Sequence, residues 1–158
     1  MNTESPVPAY IAYSVGFYDD RDIVDWALAY LPTSEHFSDD PDLLEISWIN
    51  TKQVRNVEAA GMLLEKFIEK MWPEYELIGN AKAEHYARRF FKHRLESYAD
   101  GKCSPWMVCR MVSPIEHFFD FPDWLGDMYD ACDWIEPNTS RVDCRHLEAA
   151  VIQTLKEL

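Results

Sequence analysis

Helical periodicity is the feature that most constrains how this chain can fold. Apolar residues recur at alternating steps of three and four along one stretch, at Val54, Val57, Gly61, Leu64, Ile68 and Met71. This spacing places them on one face of an α-helix, and Pro73 ends the pattern because proline cannot continue a helix. The same periodicity predicts helices over 20–30, 41–49, 80–99 and 105–112, and others that begin near residues 113, 121 and 140. Asp40 is predicted to cap the helix over 41–49, and Ser113 and Glu116 are predicted to form a capping box where the helix near residue 113 begins.

The predicted helices indicate an all-α fold, a compact bundle of seven or eight helices. No segment after residue 18 alternates strongly between apolar and polar residues, as a half-buried strand would. Residues 1–18, which include Pro6 and Pro8, are predicted to form an extended arm or a short strand. A chain of 158 residues without a low-complexity linker suits a single domain, which we expect to span 1–158.

Cysteine use and the N-terminal residues predict a cytoplasmic location. The first 15 residues contain no Lys or Arg ahead of their apolar stretch, unlike a secretory signal. The four cysteines, at positions 103, 109, 132 and 144, are therefore expected to stay reduced. Apolar runs are only a few residues long, so we expect no membrane-spanning segment.

Net charge restricts the class of partner. The chain carries 28 acidic and 15 basic side chains, a net charge of −13, which repels phosphate and argues against nucleic acid as a ligand. Basic residues concentrate in the predicted helix 80–99, at Arg88, Arg89, Lys92, His93 and Arg94. We expect them to bridge to acidic neighbours and offset their repulsion. An anion or RNA site is the alternative.

An acidic stripe in the last third is the predicted partner-binding site. Asp123, Asp127 and Asp130 step by four and three, so one helix would present them on the side opposite Leu125 and Met128. Asp120 and Asp133 extend the stripe, and Trp124 and Trp134 supply aromatic anchors of the kind found at interface hot spots. A second acidic group, including Asp39 and Asp42, is predicted to extend this surface.

Motifs for catalysis are not evident in the sequence. It contains no Gly-x-Ser-x-Gly, no phosphate-binding Gly-rich loop and no His-Glu-x-x-His. A zinc site could be drawn from Cys132, Cys144 and His146, but the paired spacing of structural zinc sites is missing. We therefore expect no catalytic residues, no metal and no cofactor. A hydrolase or metal-dependent enzyme is the third hypothesis for function.

The segment from Ser113 to Trp134, which begins Ser113-Pro-Ile-Glu116, resembles a segment of small helical bacterial proteins. Some of that group serve as immunity proteins beside polymorphic or contact-dependent toxins. The resemblance implies an immunity protein that binds and neutralises a cognate toxin domain. Acidic charge fits this role, because secreted nuclease domains are often basic. The alternative is a non-enzymatic adaptor or regulatory bundle that binds a basic cellular partner.

Overall fold

The computed structural model describes residues 5–49, 52 and 57–158, and every regular secondary-structure element in them is a helix. The α-helices are α1 Pro6–Ser14, α2 Asp20–Tyr30, α3 Pro41–Ser47, α4 Ala60–Met71, α5 Ala81–Ala99, α6 Pro105–Cys109, α7 Val112–Phe119, α8 Met128–Cys132 and α9 Arg145–Glu157. Single 3-10 turns lie at Leu31–Thr33, Asp123–Leu125 and Arg141–Cys144. The predicted all-α class is confirmed.

Contacts between residues divide the chain into two compact units. The N-terminal unit comprises Met1–Ser14 and Tyr18–Glu76, and the C-terminal unit comprises Val15–Phe17 and Leu77–Leu158. Each unit has its own buried apolar residues. The single domain expected over 1–158 stays a prediction, since the cooperativity of unfolding would test it.

The first element differs from the prediction, because Pro6–Ser14 forms helix α1 and not an extended arm or strand. Pro6 and Pro8 lie in the first turn, where backbone N–H groups have no partner within the helix and their loss costs nothing. The helix buries Ala9, Ile11 and Ala12. Proline therefore marks the start of a helix at this position.

In the N-terminal unit, α1, α2 and α3 pack against α4. Gly61 of α4 makes a close approach possible, because a Cβ atom there would clash with the ring of Tyr13. The predicted cap at Asp40 is confirmed, since its carboxylate accepts hydrogen bonds from the amides of Asp42 and Leu43. The helix predicted from Val54 begins at Ala60 in the structure, and Val54 lies outside the described residues.

In the C-terminal unit, α5 is the longest helix and packs against α6 and α9. Asn80 caps it by accepting hydrogen bonds from the amides of Lys82 and Ala83, at 3.1 and 3.0 Å. Phe91 and Leu95 of α5 and Leu147 of α9 are fully buried. None of the described helices combines the length and the apolar character needed to cross a bilayer.

The start of α7 also differs from the prediction. Ser113 was expected to cap this helix together with Glu116, but the helix begins one residue earlier, at Val112. Ser113 therefore lies inside the first turn and makes no capping hydrogen bond. Glu116 is 7% exposed and does not reach back to the cap. The apolar residues Val112 and Ile115 face the core, and their burial sets the position of the helix.

Candidate functional site

Three large aromatic side chains of the C-terminal unit lie on its surface. Phe121 is 66% exposed, Tyr129 is 58% exposed and Trp134 is 90% exposed. Each is next to an exposed aspartate in the chain: Asp120 with Phe121, Tyr129 with Asp130, and Asp133 with Trp134. Aromatic rings are usually buried or at interfaces, so exposed rings beside carboxylates are a candidate binding feature.

These residues, with two more exposed aspartates, form what we call the acidic–aromatic segment: Asp120, Phe121, Asp123, Asp127, Tyr129, Asp130, Asp133 and Trp134. The rings of Phe121 and Tyr129 pack edge to face, with centroids 6.5 Å apart. This contact brings the end of α7 next to α8. The predicted residues Asp120, Asp123, Asp127, Asp130, Asp133 and Trp134 are thus all exposed.

Backbone strain concentrates in the same segment. Among the described residues, those with positive φ that are not glycine are Asp120 at 52°, Phe121 at 52° and Trp134 at 67°. Left-handed backbone costs a residue with a Cβ atom about 1–2 kcal/mol, and it is an outlier for bulky side chains. Asp120 takes the position after α7 where glycine is the usual residue. Strain of this kind is often retained at functional sites.

The sequence analysis predicted that the aspartates share one face of a single helix, but in the structure they do not. Asp123 lies in a 3-10 turn and Asp130 lies in α8, and the two are separated by Gly126. Gly126 has φ 56°, and a Cβ atom there would lie 3.3 Å from Oγ1 of Thr154. A continuous helix from residue 121 is therefore replaced by two short elements, because α9 approaches the chain closely at this glycine.

Trp124 is partly buried and anchors a turn within the unit, and its role in partner binding stays a prediction. Its Nε1 donates a hydrogen bond of 2.9 Å to Oε1 of Glu84 on α5. Its ring lies 6.0 Å from the ring of Phe91, which is buried in the core. Trp124 thus positions the turn that carries Asp123.

A disulfide between Cys109 and Cys132 joins the last residues of α6 and α8. This contradicts the expectation that all four cysteines stay reduced, while Cys103 and Cys144 are free thiols. The helix packing brings the two Cα atoms to 5.2 Å, within the range that a disulfide spans. The bond fixes one end of the acidic–aromatic segment to the core.

Asp39 and Asp42, the remaining predicted binding residues, belong to the N-terminal unit. Asp39 is exposed, whereas Asp42 is 5% exposed. The carboxylate of Asp42 accepts from Nζ of Lys70 at 2.8 Å and lies 3.1 Å from Nζ of Lys66. These hydrogen bonds, from Lys70 above all, lower the pKa of Asp42. Asp42 therefore stabilises the contact of α3 with α4, and its role in partner binding stays a prediction.

The three residues of the zinc site considered from the sequence have other contacts. Cys132 is in the disulfide, and Sγ of Cys144 donates to the carbonyl of Ser140 at 3.2 Å. Nε2 of His146 lies 2.9 Å from the carbonyl oxygen of Ala131. Across the residues that the structure describes, no group of three or more His, Cys, Asp or Glu side chains is arranged to hold a metal ion.

Glu116 is a buried carboxyl group that the sequence analysis placed at a helix cap. Its Oε1 atom has no hydrogen-bond partner among the described residues, and burial raises the pKa of its carboxyl group. Its backbone carbonyl accepts from the amides of Asp120 and Phe121, the two residues with left-handed backbone. Glu116 thus lies directly beneath the start of the acidic–aromatic segment.

Two features of this segment had no signal in the sequence: the left-handed backbone of Phe121 and Trp134, and the pairing of Cys109 with Cys132. Neither aromatic residue is a type that favours positive φ, and four cysteines allow several pairings. No family model, curated protein or solved structure matches the chain, so the interpretation of the segment depends on its own geometry.

Proposed function

We propose that the protein acts by binding, and that the acidic–aromatic segment of the C-terminal unit docks a basic protein partner. The observation that supports this most directly is the exposure of Trp134, at 90%, on left-handed backbone. An exposed indole adds little to stability, and its backbone conformation costs free energy. A partner that covers the ring would add the free energy of burying the indole, which offsets the cost of this backbone, as at an interface hot spot.

The carboxylates determine the kind of partner. Five exposed aspartates lie in the same segment as the three rings, and within residues 113–158 acidic side chains outnumber basic ones by ten to three. Complementary charge speeds the encounter with a basic surface, and burial of aromatic rings then slows release. A partner with a cationic surface and an apolar recess would match both features.

We further propose that this partner is a toxin domain and that the protein is its immunity protein. The support is the resemblance of Ser113–Trp134 to small helical bacterial proteins, some of which have that role, and the acidic character that a basic nuclease domain would complement. Occlusion of the toxin active site or substrate groove would neutralise it without any catalysis by this chain.

Affinity for a candidate toxin domain encoded beside this gene tests the proposal. Titration calorimetry would compare the wild type with Trp134→Ala and Asp127→Lys at several salt concentrations. We expect Trp134→Ala to weaken binding by about thirtyfold or more, the size of a hot-spot loss. Asp127→Lys should slow association and flatten the salt dependence.

Asp100→Lys is the matched control for charge. Asp100 is exposed in the same unit but lies outside the acidic–aromatic segment. The Asp100→Lys variant makes the same change in net charge as Asp127→Lys, but its affinity for the toxin domain should stay within about twofold of that of the wild type. Equal losses in Asp127→Lys and Asp100→Lys would contradict a defined docking site. Binding that ignores both salt and Trp134→Ala would contradict the proposal altogether.

A cytoplasmic location accompanies the immunity proposal, and the Cys109–Cys132 disulfide weighs against it, because disulfides are rare in reducing compartments. Alkylation of free thiols in intact cells before lysis would decide whether the protein lies in a reducing compartment or keeps the disulfide. Two blocked thiols per chain indicate that the bond persists in the cell, and four indicate a reducing compartment.

A further inference from the structure

A basic cavity lies on α5, away from the acidic–aromatic segment in sequence. It has a volume of about 330 Å³ and is lined by His85, Arg88, Arg89, Lys92 and Leu158. The first four residues follow the helical spacing of three and four, which places them on one side of α5. In a chain with net charge −13, this is a local concentration of positive charge.

Two cations of this cavity, Arg88 and Lys92, do not bridge to acidic side chains as the sequence analysis expected of them. Nη2 of Arg88 donates to the carbonyl oxygen of Glu157 at 3.3 Å and to an oxygen of Leu158, the last residue of the sequence, at 3.4 Å. Within the described residues, no aspartate or glutamate forms an ion pair with Arg88 or Lys92. The carbonyl group of Glu157 orients the guanidinium of Arg88 without neutralising its charge.

Ring contacts hold the second guanidinium of the cavity. That of Arg89 lies 5.1 Å from the ring centroid of Tyr86 and 5.5 Å from that of Phe90. A guanidinium stacked on aromatic faces loses little further freedom when it binds an anion. Two oriented guanidinium groups and one lysine ammonium therefore border the same space.

We propose that this cavity binds a small phosphorylated ligand, of the size of a pyrophosphate or a nucleoside diphosphate. Planar guanidinium groups match phosphate oxygens in pairs, and the volume lies at the lower end of small-molecule sites. A long nucleic acid would meet the repulsion of the surrounding acidic surface, whereas a compact anion needs only the local field. The site is independent of the proposed docking of a protein partner.

Binding of inorganic pyrophosphate and of adenosine diphosphate to the full chain tests the proposal. Titration calorimetry would be run at constant ionic strength, with sodium chloride as the balancing salt. We expect binding to the wild type and a loss of about tenfold or more in Arg88→Gln and in Lys92→Gln, since each removes a charge-assisted contact. Adenosine diphosphate that binds more tightly than pyrophosphate would indicate that the cavity also accepts the nucleoside.

Lys82→Gln is the matched control, because Lys82 is exposed on the first turn of α5 and does not line the cavity. It removes the same charge and should bind pyrophosphate as the wild type does. Circular dichroism would establish that all three variants remain helical. Equal weakening in Lys82→Gln, or no binding by the wild type at millimolar pyrophosphate, would overturn the proposal. So would a single-stranded RNA that binds the wild type and is not displaced by pyrophosphate.

Discussion

Trp134 and Phe121 place large rings on backbone that glycine would adopt more readily. Their φ values are 67° and 52°, and the rings are 90% and 66% exposed. Neither the backbone nor the burial of these residues favours the folded state of the isolated chain. Glu116 is a third residue that lowers stability, for a different reason: it is a buried carboxyl group whose Oε1 lacks a hydrogen-bond partner among the described residues. At the scale of the residue, stability is given up around one segment.

Trp134 allows stability and binding to be separated. Trp134→Gly should bind the basic partner as weakly as Trp134→Ala, since both lose the ring. Trp134→Gly should nevertheless be more stable than Trp134→Ala by about 1 kcal/mol, because glycine adopts positive φ without strain. Urea denaturation measures the difference. A Trp134→Gly variant less stable than Trp134→Ala would show that the left-handed backbone is not retained.

Glu116 predicts a pH dependence of stability. Burial raises the pKa of Glu116 in the folded state, so the folded chain holds this proton to higher pH than the unfolded chain. The stability that Glu116 contributes is therefore present below the ordinary glutamate pKa of about 4.3 and falls as pH rises through the raised value.

Glu116→Gln removes this titration and should be more stable than the wild type at neutral pH, by about 1 kcal/mol. Urea denaturation at about pH 4.5 and 7.5 would measure the gain, which should be larger at the higher pH. Glu136→Gln, at an exposed position, is the control and should show no such gain. A constant difference between Glu116→Gln and wild type at both pH values would contradict the assignment.

At the scale of the element, side chains hold short helices that could not persist alone. Helices α6 and α8 have five residues each, far below the length at which an isolated helix is stable. The Cys109–Cys132 disulfide ties their ends together, and Trp124 ties the preceding turn to α5. In the N-terminal unit, an ion pair between Asp42 of α3 and Lys70 of α4 joins two helices in a comparable way.

Loss of the disulfide should destabilise the protein by about 3 kcal/mol, the loop-closure value for a separation of 23 residues. Urea denaturation of Cys109→Ser would measure this loss, and Cys103→Ser is the control, since Cys103 is a free thiol. A thiol assay on the unfolded, unreduced protein should find two free thiols. A count of four, or equal stability of the two variants, would contradict the bond.

The Asp42–Lys70 pair predicts destabilisation in Asp42→Asn, by about 1 kcal/mol at neutral pH. Because hydrogen bonds from Lys70 lower the pKa of Asp42, its contribution is present above the ordinary aspartate pKa and is lost as pH falls through the lowered value. The two proteins should therefore converge in stability under acid conditions. Asp39→Asn, at an exposed neighbour, is the control. A loss that persists at low pH would point to packing and not to charge.

At the scale of the whole molecule, charge dominates. A net charge of −13 over 158 residues opposes compactness through self-repulsion, since salt bridges among the described residues neutralise only some of the carboxylates. The five exposed aspartates of the acidic–aromatic segment contribute to that repulsion, since none of them forms an ion pair within the described residues. A bound basic partner would relieve it.

Added salt should therefore raise the thermal midpoint, since the Debye length shortens to about 10 Å at 0.1 M. Scanning calorimetry from low to moderate sodium chloride measures the rise. The double variant with Asp127→Lys and Asp130→Lys carries less net charge, so it should be more stable than the wild type at low salt and respond less to salt. A midpoint that falls with salt would show that ion pairs outweigh the repulsion.

Periodicity in the sequence was sufficient to predict the all-α class and most helices, because apolar spacing and caps such as Asp40 and Asn80 act within a few neighbouring residues. Tertiary contacts decided the rest. Gly126, where α9 approaches the chain closely, interrupts a predicted helix. Lysine contacts occupy the buried Asp42, a hydrogen bond to Glu84 anchors Trp124, and helix packing pairs Cys109 with Cys132. The physical reason is range: periodicity records which face of a helix is apolar, whereas exposure, pairing and strain depend on residues distant in the chain.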